Sequence, residues 1–170
     1  MPRLHVCPLT HIEETVAQTG ARSLVTLLKA DYPVTRPALI APERHHRVAI
    51  SDITEPLDGH EAPDVQHVED FLAFVRAWDR QEPMLIHCFA GVSRSTAAAY
   101  IAICALAPQR SEEEIAQALR LASPTATPNS LLVSHADQLL GRGGRMVRSI
   151  RAIGRGADCM EGVPFTLEID

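Results

Sequence analysis

Apolar and polar positions along the chain change period several times. Residues 3 to 8 and 22 to 28 (RSLVTLL) are apolar runs of strand length, and the stretch between them, 10 to 19, reads as a helix that Thr10 can cap and Gly20 can end. Residues 30 to 46 carry Pro33, Pro37 and Pro42 and are expected to be mostly loop. RVAIS, 47 to 51, alternates like a strand and delivers Asp52 at its end. Val65, Val68, Phe71, Leu72 and Val75 then recur at helical spacing, with Pro63 suited to the first turn. MLIHC, 84 to 88, is a short apolar strand. Residues 94 to 107 are apolar nearly all round, as a buried helix would be, and Pro108 ends them. Ser111 and Glu114 form a capping box for a helix to about 122, and further helices are expected from Asn129 to Leu140 and over roughly 145 to 153. The closing GVPFTLEID reads either as an edge strand or as a docked tail, within a C-terminal segment of 154 to 170.

Strands that alternate with helices predict an α/β fold: one domain over 1 to 170, with a central, mainly parallel sheet flanked by helices on both faces. A chain of 170 residues, 46% of them apolar, can bury one ordinary core. The four cysteines, Cys7, Cys88, Cys104 and Cys159, are far apart and form no CxxC pair, so neither a disulfide framework nor a zinc site is expected, and a reducing, cytoplasmic setting fits best. No apolar run is long enough to span a bilayer. A formal charge of -5 argues against nucleic acid as a partner.

Residues 85 to 96, LIHCFAGVSRST, add chemistry to this frame. A loop that leaves a parallel strand and enters a helix can aim successive backbone N–H groups at one point, where the helix N-terminus adds partial positive charge. Phe89, Ala90, Gly91, Val92 and Ser93 would form such a cradle, Gly91 allowing a backbone conformation closed to other residues. Arg94 can close it with two parallel hydrogen bonds to anion oxygens. Cys88 at the bottom, among amide dipoles and a guanidinium, is expected to act as a thiolate. With a phosphate monoester in the cradle, the sulfur is placed for in-line attack on phosphorus, giving a phosphocysteine, with no metal and no cofactor.

His87, Cys88, Gly91, Arg94 and Ser95 reproduce the HCxxGxxR[ST] signature, and over about residues 20 to 140 the chain resembles the protein tyrosine phosphatases, most of all their compact dual-specificity-like branch. The resemblance implies that Ser95 assists departure of the thiolate and that His87 supports the loop by hydrogen bonding. It also implies a general acid from a neighbouring loop. Asp52 stands where the branch carries it, at the end of a strand whose carboxyl edge would open on the same crevice. There is no WPD triplet, so the assignment rests on chain order, and Asp58 is the competitor, with Glu55 and Asp64 behind it. SPTATPNSLLVSHADQLL echoes a family segment that would bring Asn129 near the active-site loop, the alternative being a plain helix cap.

The expected substrate is a phosphorylated protein or a small phosphomonoester. An inositol-phosphate or phosphoinositide phosphatase is the alternative within the same chemistry, although such enzymes often place lysines in the loop and FAGVS has none. A phosphate-binding module without catalysis is the alternative outside it. Tyr32 follows a strand whose loop should face the crevice, from where it would flank a bound phosphoester. His45 and His46, lacking a spaced third ligand, read as solvated loop residues. Trp78, Phe71 and Phe74 read as core. Arg142, Arg145, Arg148 and Arg151 recur every three residues and read as solvated surface.

Overall fold

The computed structural model describes all residues, 1–170. The chain runs β1 (Arg3–Pro8), α1 (Ile12–Thr19), β2 (Ser23–Leu28), β3 (His45–Ala49), α2 (Val65–Ala77), β4 (Met84–Cys88), α3 (Arg94–Leu106), α4 (Glu112–Ala122), α5 (Ser130–Leu139), α6 (Arg145–Ile153) and β5 (Phe165–Glu168). The five strands form one sheet in the order β3-β2-β4-β1-β5. Strands β1 to β4 are parallel, with β3 at one edge, and β5 closes the other edge antiparallel to β1, so the expected α/β fold with a mainly parallel sheet is what the chain adopts.

Side-chain alternation divides the core between the two faces. Val6, Val25 and Ile86 point into a cluster of 34 buried residues shared with α2 to α6. Their neighbours Cys7, Leu24 and Leu85 point the other way, into a cluster of seven under α1. Helix α3 is central because ten of its residues, Ser95 to Cys104, are buried, which the alanines of AAAYIA make sterically possible. No helix is long and apolar enough to cross a membrane.

Several local expectations need correction. The third strand is His45–Ala49, not 47 to 51, because its pairing with β2 begins at Leu24 opposite His45. His45 and His46 therefore leave the predicted loop for a half-buried strand, where the His46 ring stacks on Phe74 with centroids 5.2 Å apart. Thr10 caps no helix. A single 3₁₀ turn, Leu9–His11, precedes α1, and the Thr10 hydroxyl donates instead to the Glu161 carboxylate. Pro63 lies outside α2, whose cap is Asp64 in a reciprocal box with His67. The arginine series is only partly solvated: Arg142 and Arg145 both grip Glu112, at 2.8 and 3.2 Å. Burial opposes the charge on Glu112, but the two guanidiniums outweigh it and hold the carboxyl down at about 2. The C-terminal segment is both things expected of it, an edge strand at 165–168 and, before that, a stretch docked on the rest of the fold.

Candidate active site

Strand β4 ends at Cys88, and six residues later the chain enters α3. Gly91, at the top of the turn, has φ +71, and an added Cβ would lie 2.9 Å from Pro8 N and 3.0 Å from the Cys7 carbonyl carbon. Both conformation and close approach to β1 require glycine there.

The orientation of the loop follows from its carbonyls. The Cys88 oxygen accepts from His87 Nδ1 (3.0 Å), Phe89 O from Leu9 N (3.0 Å), Ala90 O from Gly162 N (2.8 Å), Val92 O from Thr127 N (2.9 Å) and Ser93 O from Asn129 N (3.2 Å). Every peptide bond in the chain is trans, so the N–H in the same unit points opposite to each carbonyl. With five carbonyls held from outside, the amides of Phe89, Ala90, Gly91, Ser93 and Arg94 are turned inward. Gly91 N already donates to Cys88 Sγ at 3.3 Å. Ser95 Oγ lies 3.1 Å from the same sulfur. The geometry thus brings Cys88, the loop amides and Ser95 together as the sequence predicts.

Arg94 is held by Nη1 to Ile50 O at 2.9 Å, while its buried Nε has no partner in the protein. An unpaired buried donor is costly unless a ligand completes it. Oxygens of a tetrahedral anion over Cys88 would do so. Burial pushes the thiols of Cys7 and Cys104 up to about 12, so these two stay protonated near neutral pH.

Asp52 lies three residues beyond β3, and its Oδ1 accepts from Ser93 Oγ (2.7 Å) and Asn129 Nδ2 (3.0 Å). Both bonds fall on the same oxygen, Oδ1. Asn129 does both things considered for it: its Oδ1 caps α5 through Leu131 N and Leu132 N, and its Nδ2 ties down Asp52 and Ile53 O. Asp52 and Arg94 line an open cleft of about 430 Å³ together with Phe89, Tyr32, Lys29 and His60. Tyr32 and Phe89 meet edge to face at its mouth, 5.9 Å between centroids. Asp58 sits in an exposed turn closed by His60 N to Leu57 O and does not line the cleft; Glu55 is likewise exposed, and Asp64 caps α2.

Behind the loop, His87 is fully buried and its second nitrogen, Nε2, lies 2.7 Å from Thr26 Oγ1, which is in turn 2.8 Å from His45 Nε2. The carbonyl of Cys88 needs a donor, so Nδ1 of His87 carries the proton and Nε2 accepts from Thr26, whose oxygen accepts from His45. Burial, with His45, Arg47 and Arg94 adding to it, lowers His87 to about 4, which keeps this neutral tautomer. Arg47 donates to the carbonyls of Lys29 and Tyr32, both at 2.6 Å, and so fixes the loop that carries Tyr32.

Sequence reasoning missed Thr26, His45, Arg47, His60, Leu9, Thr127 and Gly162. Only Thr26 carried a local signal, a hydroxyl inside the buried strand SLVTLL. The others act through contacts from distant parts of the chain.

The protein-tyrosine phosphatase family profile matches residues 43–139, more than half of the chain. No curated protein matches the sequence. Among solved structures, the fold is similar to human DUSP28 (24% identity, TM-score 0.62, covering 79% of this chain and 86% of that one). It is also similar to the PTP-2 phosphatase of Cydia pomonella (22%, TM-score 0.62, 79% and 84%). A third likeness is the human tyrosine phosphatase-like serine/threonine/tyrosine-interacting protein (14%, TM-score 0.65, 84% and 94%).

Proposed function

The chain belongs to the protein-tyrosine phosphatase family, and on that premise we propose that it is a member of the compact dual-specificity-like branch that hydrolyses phosphate monoesters on protein tyrosine, serine or threonine through a phosphocysteine. The observation that carries this reading is the inward set of amides around Cys88 Sγ, closed by an Arg94 whose buried Nε lacks a partner.

In the first step Cys88 Sγ bonds to phosphorus as the ester oxygen leaves. The amides and Arg94 hold the equatorial oxygens, and Asp52 delivers its proton to the departing oxygen. In the second, water attacks phosphorus, Asp52 takes its proton, and the sulfur leaves with the Ser95 hydroxyl donating to it. His87 and Asn129 act as positioning residues, the first through the Cys88 carbonyl and the second through Asp52. The edge-to-face pair Tyr32 and Phe89 suits an aryl phosphate at the mouth. A cysteine nucleophile needs a free thiol, which favours a reducing compartment such as the cytosol. The lysine-free loop from Phe89 to Ser93 gives no support to a phosphoinositide substrate.

The test is a panel of phosphotyrosine, phosphoserine and phosphothreonine peptides set against inositol phosphates and phosphoinositides, with Asp52→Asn and Asp58→Asn beside the wild type. Peptides should be the better substrates. Asp52→Asn should slow a phosphoserine peptide by about 10²- to 10⁴-fold and an activated aryl phosphate far less. Asp58→Asn should behave as wild type. If Asp58→Asn loses activity while Asp52→Asn keeps it, the acid is Asp58; if only inositol phosphates turn over, the substrate class is wrong.

A further inference from the structure

Two of the loop carbonyls are gripped by residues beyond the matched stretch 43–139, Leu9 and Gly162, and the shorter of the two bonds comes from the C-terminal segment that leads into β5. Gly162 N donates to Ala90 O at 2.8 Å. A Cβ on Gly162 would lie 3.0 Å from Gly91 O and 3.3 Å from Ala90 O. Its φ is not in the left-handed region, so glycine is needed there for close approach and not for conformation. Upstream, Ala157 N donates to Pro124 O (3.0 Å) and Gly156 N to Thr127 Oγ1 (3.1 Å), while Thr127 N holds Val92 O. A Cβ on Gly156 would meet Thr125 O at 2.5 Å. At the other end, Glu161 takes the Thr10 hydroxyl. Within this segment Met160 is 97% exposed and Val163 78% exposed, so hydrogen bonds rather than burial of these apolar side chains keep the segment in place.

We propose that residues 154–164 form a strap that positions the anion cradle, with Gly162 as its positioning residue: by holding the Ala90 carbonyl outward, Gly162 aims the Gly91 amide at Cys88 and at the bound phosphate. The inference rests on the reading of the loop as a phosphate cradle. The argument is that Ala90 C=O and Gly91 N–H belong to one trans peptide unit, so fixing one direction fixes the other. The strap also reaches the loop a second time, through Gly156, Thr127 and Val92. Coupling of this kind is reciprocal: if the docked strap favours the anion-binding shape of the loop, a bound anion must favour the docked strap.

The experiment uses the full chain with Gly162→Val, and Met160→Ala as a control on the same strap. Binding of inorganic phosphate and orthovanadate, turnover of p-nitrophenyl phosphate and thermal stability are measured for each, and amide hydrogen exchange at Gly162 is followed in the wild type with and without orthovanadate. Gly162→Val should lower kcat/KM by about 10²-fold, the usual effect of misplacing one oxyanion donor. It should weaken phosphate binding in parallel while the melting temperature stays near wild type. Met160→Ala should match the wild type, and orthovanadate should slow exchange at Gly162. A Gly162→Val protein that binds phosphate as the wild type does would overturn the inference. If that variant does not fold, a Gly162 exchange rate indifferent to saturating orthovanadate in the wild type would overturn it equally. A wild type that neither binds nor hydrolyses these probes would instead remove the phosphatase reading itself.

Discussion

On the face of the sheet covered by α2 to α6, Leu4, Val6, Met84 and Ile86 join a cluster of 34 buried residues, whereas on the α1 face the apolar cluster has seven, and beside it runs a polar line of His45, Thr26 and His87 that ends on the Cys88 carbonyl. The first face is made of groups that interact without direction, and its contribution scales with buried area. The second is made of donors and acceptors whose directions are all determined, and its contribution is orientation. Cys88 belongs to both, its sulfur on the side of the large cluster and its carbonyl tied to the polar line. The apolar face holds the domain together, and the polar face sets how the loop is held at Cys88.

That contrast can be broken first from the apolar side. Leu119 of α4 is fully buried in the large cluster and touches none of the loop residues through a hydrogen bond. Leu119→Ala should cost about 2–5 kcal/mol of stability, read by denaturant unfolding, with kcat/KM of the folded protein unchanged. A loss of kcat without a loss of stability would show that the two faces do not divide the work in this way.

Acid is the probe for the polar face. His87 is held at about 4 in the folded protein, below the ordinary histidine value near 6.5. Between those two pH values the unfolded chain binds a proton that the folded chain refuses, so stability is complete above about 6.5 and falls as the pH drops toward 4. The loss from His87 is about 3 kcal/mol over that window. His5, His45 and His46 are also lowered, burial being the largest cause for each, and they add to the same slope. Unfolding free energies measured from pH 7 to 4 should show this slope in wild type and Leu119→Ala alike. In His87→Ala it should be shallower, and kcat should fall because the Cys88 carbonyl has lost its donor. Equal slopes in wild type and His87→Ala would contradict the assignment.

The two faces also differed in how far they could be read in advance. The apolar face was legible from periodicity: the spacing of Val68, Phe71, Leu72 and Val75 and the run AAAYIA marked α2 and α3 because burial repeats with the helix. The loop from Cys88 to Arg94 was legible because strand, glycine, arginine and helix follow each other within a dozen residues. His45 was misread because polarity alone suggests solvent, whereas strand pairing with β2 places it against Thr26. Thr10 was misread as a cap because its partner, Glu161, is 151 residues away. Gly162 gave no sign of its part, since a glycine in a tail looks like a turn until the loop it presses against is folded. Asp52 could be placed by chain order, but what holds it, Ser93 and Asn129, needed three loops to meet.

The central claim, that Cys88 carries the phosphoryl group, is tested most directly by rapid acid quench of the wild type with an aryl phosphate and mass analysis of the peptide that contains Cys88. The account predicts a fraction of that peptide heavier by one phosphoryl group, with the modification on sulfur. It also predicts neither adduct nor turnover in Cys88→Ser, although that variant should still bind orthovanadate through the loop amides and Arg94. Sustained turnover by a clean Cys88→Ser preparation, or a phosphoryl group found on another residue, would contradict it.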